Sequence, residues 1–122
     1  RGAGAARGSR WFGLFVEEEQ SSYMVAAAWI HLPDPFTPIF RAFGIPQDNS
    51  YFLRRICKFA PGDWLVTLLT QLCDRLAEEG KEALVALGLP RHSNALYKLA
   101  GFEHVGDTPR TRHPVFVRWL RR

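Results

Sequence analysis

The sequence is poor in the residues that staple small proteins. Two cysteines, Cys57 and Cys73, stand in 122 residues. They are too few for a disulfide framework and point to a reducing compartment. With the four histidines they form no C-x-x-C or H-x-x-x-H spacing, so no metal site is expected. No apolar run approaches the roughly 20 residues of a membrane-spanning helix, and no secretory signal stands at the front. The expected location is therefore the cytoplasm, with no membrane partner. Lysine is scarce, because thirteen of the sixteen cations are arginine. No internal repeat is visible. The chain opens on Arg1 without an initiator Met, which leads us to expect a fragment or processed form with structure before Arg1.

What remains is a globular balance, with 47% apolar and 23% charged residues in 13.9 kDa. That is one domain, able to bury a core without staples. The formal net charge of +4 is divided unevenly. Arg1, Arg7 and Arg10 lie in the first ten residues. Arg110, Arg112, Arg118, Arg121 and Arg122 lie in the last thirteen. Between Trp11 and Pro109, eight cations face twelve anions. The basic character belongs to the two ends, where it suggests contacts with nucleic-acid phosphates or protection of an exposed final strand.

Residues 1–10 carry no apolar periodicity and read as a flexible leader, leaving 11–122 as the folded domain. Trp11–Val16 and Tyr23–Leu32 are apolar runs around a polar Glu17–Ser22 break, a hairpin pattern. Four prolines between Pro33 and Asn49 leave room for no more than a helical turn near Ile39–Phe43. Ser50–Phe59 reads as a third strand. Leu65, Leu68, Leu69, Leu72, Cys73 and Leu76 then form one helical stripe, with Asp63 placed to cap it and Gly80 to end it. Glu82–Leu89 is a buried parallel strand, Ser93–Ala100 a short helix closed by Gly101, and Phe102–Gly106 and Pro114–Leu120 the last strands. The predicted order is β-β-loop-β-α-β-α-β-β, an α/β (α+β) chain with a right-handed β-α-β unit at its centre.

The strand-to-helix turn Phe59–Trp64 offers free amides and the positive end of a helix dipole, a site for a pyrophosphate. Further on, Tyr97-Lys98-Leu99-Ala100-Gly101-Phe102 resembles the Y-x-x-x-G-F signature of the GNAT acyltransferase superfamily. The loop from Leu89 and Pro90 through Ala95, Tyr97, Ala100, Gly101, Phe102, Val105, Gly106 and Thr108 is similar to a phage-associated branch that includes Mom-like DNA-modification proteins. The resemblance covers about Trp11 to Thr108. It implies a GNAT-like mixed sheet whose N-terminal part is reduced or missing, since the first strand and two helices of that fold are absent.

The resemblance also implies a chemistry, an N-acyltransferase using acetyl-CoA or another acyl-CoA. The donor would lie where the two central parallel strands part. Backbone groups of Arg55, Ile56 and Cys57 would hold its pantetheine arm, and one N–H there would stabilise the oxyanion. The turn containing Ala60, Gly62 and Asp63 would meet the pyrophosphate, although Lys58–Asp63 departs from the usual Q/R-x-x-G-x-G/A loop. Pro90 replaces the common Asn ahead of the Tyr helix, and the nearby Asn94 is the cofactor-binding candidate in its place. Tyr97 would protonate the leaving thiolate. His31 and His92 are the candidate bases, while Glu17–Glu19 read as a solvated turn. The acceptor amine is not specified. A homodimer is compatible with this reading, and DNA is the alternative partner, docked on the Arg-rich C-terminus.

Overall fold

The computed structural model describes residues 8–34 and 37–120. Arg1, Arg7, Pro35, Arg121 and Arg122, on which part of the leader, Pro-rich loop and tail readings rest, lie outside them. Strand β1 (Arg10–Glu18) turns directly into β2 (Ser21–His31). A short helix α1 (Pro38–Ala42) and a 3-10 turn (Gln47–Asn49) follow. Next come β3 (Ser50–Lys58), α2 (Trp64–Glu78), β4 (Ala83–Leu87), α3 (Ala95–Leu99), β5 (Glu103–Asp107) and β6 (Pro114–Trp119). The element order is the one that the hydrophobic periodicity predicts.

The six strands form one mixed sheet in the order β1-β2-β3-β4-β6-β5. Only β3 and β4 run parallel. One face packs on α2, because Leu68, Leu69, Leu72, Cys73 and Leu76 recur at helical spacing and meet Ala26, Ala28, Ile30, Leu53, Leu84 and Phe116. The other face is covered in part. Phe40 and Ile45, from α1 and its sequel, close over Ala83, Val85, Val115 and Val117. Among the described residues that face is uncovered toward β1, and Trp11, Phe15 and Met24 are exposed on it.

Two expectations change. Asp63 stands at the N-cap position of α2, but its side chain makes no capping bond. Its backbone, at φ −89° and ψ 42°, is outside the extended region from which a cap side chain reaches the amides of the first turn. The last strand is not an exposed edge. β6 lies between β4 and β5, and Val115, Phe116 and Val117 are buried on both faces. The edge on that side of the sheet is β5, whose Glu103 and His104 are exposed, as suits an unpaired border.

Candidate active site

β3 and β4 share only the pairs Ser50–Ala83, Tyr51–Leu84 and Phe52–Val85. Beyond them β3 continues to Lys58 and β4 to Leu87 with no ladder between them. The cause is in β3. Ile30 pairs with Leu53 and Trp29 with Arg55, so Arg54 is one residue too many for β2. Such a bulge bends its strand and increases the twist, which ends the pairing on the far side. It also answers a packing demand. Tyr51, Leu53 and Ile56 all pack into the α2 side of the core, and strict alternation cannot place 53 and 56 on one face. From Leu53 to Lys58 the edge of β3 toward β4 therefore carries backbone N–H and C=O groups outside any ladder. This is the stretch of Arg55, Ile56 and Cys57. Arg55 is exposed there, while Ile56 and Cys57 are half-buried.

At the end of β3 the chain turns through Phe59, half-buried Ala60 and Gly62 into α2. Gly62 sits at φ +128°, and a Cβ on it would lie 2.8 Å from Trp64 Nε1. That indole N–H donates to Pro61 O at 2.7 Å, folding the turn. Lys58 Nζ donates to Gly62 O at 3.3 Å, which holds an ammonium at the mouth of the turn. Because Asp63 leaves the cap unmade, the first amides of a 15-residue helix have no side-chain acceptor. Free amides, an unpaired strand edge and a nearby cation are the donor set that a pantetheine–pyrophosphate arm requires, so the residues fit such a group.

The other wall belongs to the loop after β4. Asn94, at φ +53°, is the hub of that loop. Its Oδ1 accepts from Leu89 N–H at 2.9 Å, and its Nδ2 donates to Leu89 O at 3.0 Å and His92 O at 2.9 Å. Asn tolerates the left-handed region better than most side chains. Its polar atoms are engaged by the loop, so it shapes the wall. Gly88 makes room for it, since a Cβ there would lie 2.6 Å from Asn94 Oδ1 and 2.9 Å from Phe116 Cε2. A cavity of about 400 Å³ results, walled by Leu87, Gly88, His92, Asn94, Leu96 and Tyr97.

Tyr97 and His92 thus line one cavity at the end of β4, where Leu87 has no pair on β3. The Tyr97 ring stacks on Phe116 with centroids 5.2 Å apart and meets Phe102 edge-on at 5.5 Å. Burial raises its phenol above the ordinary tyrosine value, which keeps the proton on oxygen at neutral pH. His92 is exposed. His31 is placed differently. It is 8% exposed, pairs with Phe52 and touches that ring edge-on at 5.4 Å. Its Nδ1 lies 2.7 Å from Leu32 O, and its Nε2 is closed to solvent without a partner. No group of three metal-ligating side chains forms among the described residues.

The Arg-rich C-terminus does not make one patch among the described residues. Arg110 and Arg112 sit in the β5–β6 turn, both with positive φ. Arg118 lies down the strand opposite Leu84, with Nη1 donating to Trp119 O. The residue that composition and spacing missed is Arg54, the bulge itself. Its signal was the apolar spacing 51, 53, 56, which breaks the period of two.

No family model matches the chain. It is 50% identical over 120 residues to uncharacterized protein 154 of Sulfolobus islandicus rod-shaped virus 1, spanning 98% of this chain and 78% of that protein. A solved structure assigned to the GNAT family of acetyltransferases, from Desulfovibrio desulfuricans, superposes with a TM-score of 0.62 at 19% identity. The match covers 93% of this chain and 70% of that one. The aminoglycoside acetyltransferase AAC(6')-Ib, solved with coenzyme A and kanamycin, gives 0.68 at 13% identity, covering 93% and 67%. The GNAT family N-acetyltransferase YhbS of Escherichia coli, solved with CoA, gives 0.58 at 21% identity over 80% of this chain and 53% of that one. At these identities the likeness shows the fold. The chain has the mixed sheet and flanking helices of GNAT acetyltransferases, as the sequence resemblance implied.

Proposed function

We propose that this chain, which belongs to the same family as uncharacterized protein 154 of Sulfolobus islandicus rod-shaped virus 1, is an acyl-CoA-dependent N-acyltransferase. The observation that carries the reading is the parting of β3 from β4 after three paired residues, with Tyr97 in a cavity that reaches the free end of β4 at Leu87. CoA-bound neighbours of the same fold support it. Placement in a phage-associated, Mom-like branch is part of the proposal and draws on the viral relative. Action in the cytoplasm is likewise part of the proposal. No helix of the described residues is long and apolar enough to cross a membrane.

In this reading the pantetheine amides pair with the open edge of β3 at Arg55–Cys57. The pyrophosphate rests on the first amides of α2 at Gly62–Trp64, beside Lys58. One free N–H of the β3 edge receives the thioester oxygen as it gains charge. The acceptor amine gives its proton to water or to His92 and forms the new C–N bond. The C–S bond breaks, and Tyr97 hands its phenolic proton to the sulfur, regaining one from solvent. The phenol is fully protonated at neutral pH when the thiolate leaves, as the role requires. Asn94 and Gly88 act by holding the loop. His31, enclosed at Nε2, is left out of the proton path.

Acetyl-CoA at about 100 times its Kd should stabilise the native chain by about 2.7 kcal/mol, a rise in Tm of about 10 °C. Absence of any shift at saturating CoA esters removes the donor. Tyr97→Phe should lower turnover at least about 100-fold with acetyl-CoA affinity nearly unchanged. Unchanged turnover removes Tyr97 as the acid.

A further inference from the structure

The open face of the β1–β3 half of the sheet carries an arrangement that acyl transfer does not use. Phe12 and Leu14 point into the α2 core, so alternation sends Trp11, Gly13 and Phe15 to the opposite side. Trp11 is 62% exposed and Phe15 57%. Trp11 pairs with Trp29 across the strands, and their rings stack at 5.1 Å with 15° between planes. The guanidinium of Arg54 lies over the Trp29 ring at 5.3 Å. Arg55 is the ladder partner of Trp29, so it emerges on the same face. The bulge is what turns both arginines this way. Neither arginine has an ion pair among the described residues. The acids of the hairpin are confined to its tip, at Glu17–Glu19.

The exposed Trp11 ring, backed by half-buried Trp29, and the guanidinium groups without ion pairs match the two faces of a nucleotide. The ring stacks on the base and the cation meets the phosphate. A duplex keeps its bases stacked on each other and offers these rings nothing, whereas a single strand offers them freely. An apolar protein surface would leave two arginines unmatched. We propose that Trp11, Trp29, Arg54 and Arg55 form a stacking platform for unpaired bases of single-stranded nucleic acid. The strand crosses from Trp11 toward β3, away from the acidic tip. This platform is separate from the C-terminal arginines, and it stands whether or not the chain transfers an acyl group.

The test uses the full chain without any CoA ester. Fluorescence anisotropy is measured with labelled 12-nucleotide probes: oligo-dT, oligo-U, an abasic ribose-free phosphate backbone of equal length, and a hairpin duplex. Oligo-dT or oligo-U should bind at least about 10-fold tighter than the abasic strand or the duplex, the value of one stacked base. The two base-bearing arms show whether DNA or RNA is preferred. Trp11→Ala should weaken the better of them about 10-fold and leave abasic binding unchanged, while Trp11→Phe restores most of the loss. Arg54→Gln with Arg55→Gln should reduce the slope of log Kd against log salt by about 1.4. Trp11 is largely exposed, so its variants keep the fold, and Phe15→Ala serves as a second probe of the same face. Equal binding of base-bearing and abasic strands, insensitive to Trp11→Ala, overturns the platform. Loss of self-association on Trp11→Ala, with no change in oligonucleotide binding, overturns it in favour of an interface between copies of the chain.

Discussion

Replacing Gly88 by alanine tests the wall of the candidate site in a way that its chemistry does not confuse. Gly88 is buried at the end of β4. The added methyl would stand 2.6 Å from Asn94 Oδ1, 2.8 Å from Asn94 Cγ and 2.9 Å from Phe116 Cε2. The Phe116 ring is held by the stack with Tyr97, so Asn94 must move. Moving it breaks the bonds to Leu89 N–H, Leu89 O and His92 O. Overpacking costs about 1–3 kcal/mol and each lost hydrogen bond about 0.5–1.5 kcal/mol. These losses share one side chain and do not simply add, so we expect about 2–5 kcal/mol. In urea the midpoint should fall with an unchanged slope. Asn94→Gly keeps a residue suited to φ +53° and removes the same bonds without the clash. Combined with Gly88→Ala, it should be less destabilised than the sum by about 1 kcal/mol, because the methyl then meets space where the amide was. A loss under about 0.5 kcal/mol for Gly88→Ala, or strict additivity of the pair, refutes the claim that Asn94 is wedged against Gly88 and shapes the cavity.

Further outcomes concern pH. Burial pushes the Cys73 thiol up to about 12 from 9.0. Below pH 9 the native and unfolded thiols are alike. Above it the unfolded thiol ionises first, so stability falls as pH rises toward 12, by about 4 kcal/mol in total. Cys73→Ala should flatten this alkaline decline in urea midpoints between pH 8 and about pH 11, at the cost of some stability at neutral pH; an unchanged slope assigns the decline elsewhere. Arg10 meets both carboxylate oxygens of Glu79, at 2.7 and 2.8 Å, tying β1 to the end of α2. That hydrogen bonding first, and the nearby charges after it, hold the Glu79 carboxyl below its ordinary value. The tie is present above pH 4.5 and is lost as pH falls through the lowered value. Glu79→Gln should therefore cost about 0.5–1 kcal/mol at pH 7 and nothing near pH 2, and an equal cost at both would deny the charge its role.

Element order was legible because the period of two and the period of 3.6 alternate cleanly along this chain. Leu65 to Leu76 shows a helical stripe, and Glu82–Leu89 is too short and too apolar to be anything but a buried strand. The position of β6 was less visible, since chain order suggests that the last strand is the border. Yet Val115, Phe116 and Val117 are consecutive and apolar, which marks a strand covered on both faces. Glu103 and His104 of β5 are the residues of an edge. The cavity was legible in part. Tyr97 was marked by the motif and His92 by its place just before the Tyr helix, but the engagement of Asn94 was not legible, because a hydrogen-bonded hub depends on loop geometry that spacing does not carry. The spatial grouping of the arginines was not legible. The sequence groups Arg110, Arg112 and Arg118, whereas strand pairing separates them and joins Arg54 and Arg55 to Trp29.

That last exchange turns on one residue. Tyr51 and Leu53 must face α2, and so must Ile56. Without an insertion, a strand that satisfies the first two sends Ile56 to the open face. Arg54 absorbs the mismatch, unpaired between the Ile30–Leu53 and Trp29–Arg55 pairs. Deleting it would restore a regular ladder with β2 and remove the reason for β3 to leave β4. The open backbone edge and the pair of arginines beside the stacked tryptophans would be lost together. The prediction is therefore asymmetric. Arg54→Gly keeps the bulge, and should preserve acetyl-CoA binding while weakening oligonucleotide binding. Deletion of Arg54 in a chain that still folds, as judged by circular dichroism, should abolish acetyl-CoA binding and weaken oligonucleotide binding no more than Arg54→Gly does. Retention of acetyl-CoA binding by the folded deletion variant would mean that the strands part for a reason other than the bulge.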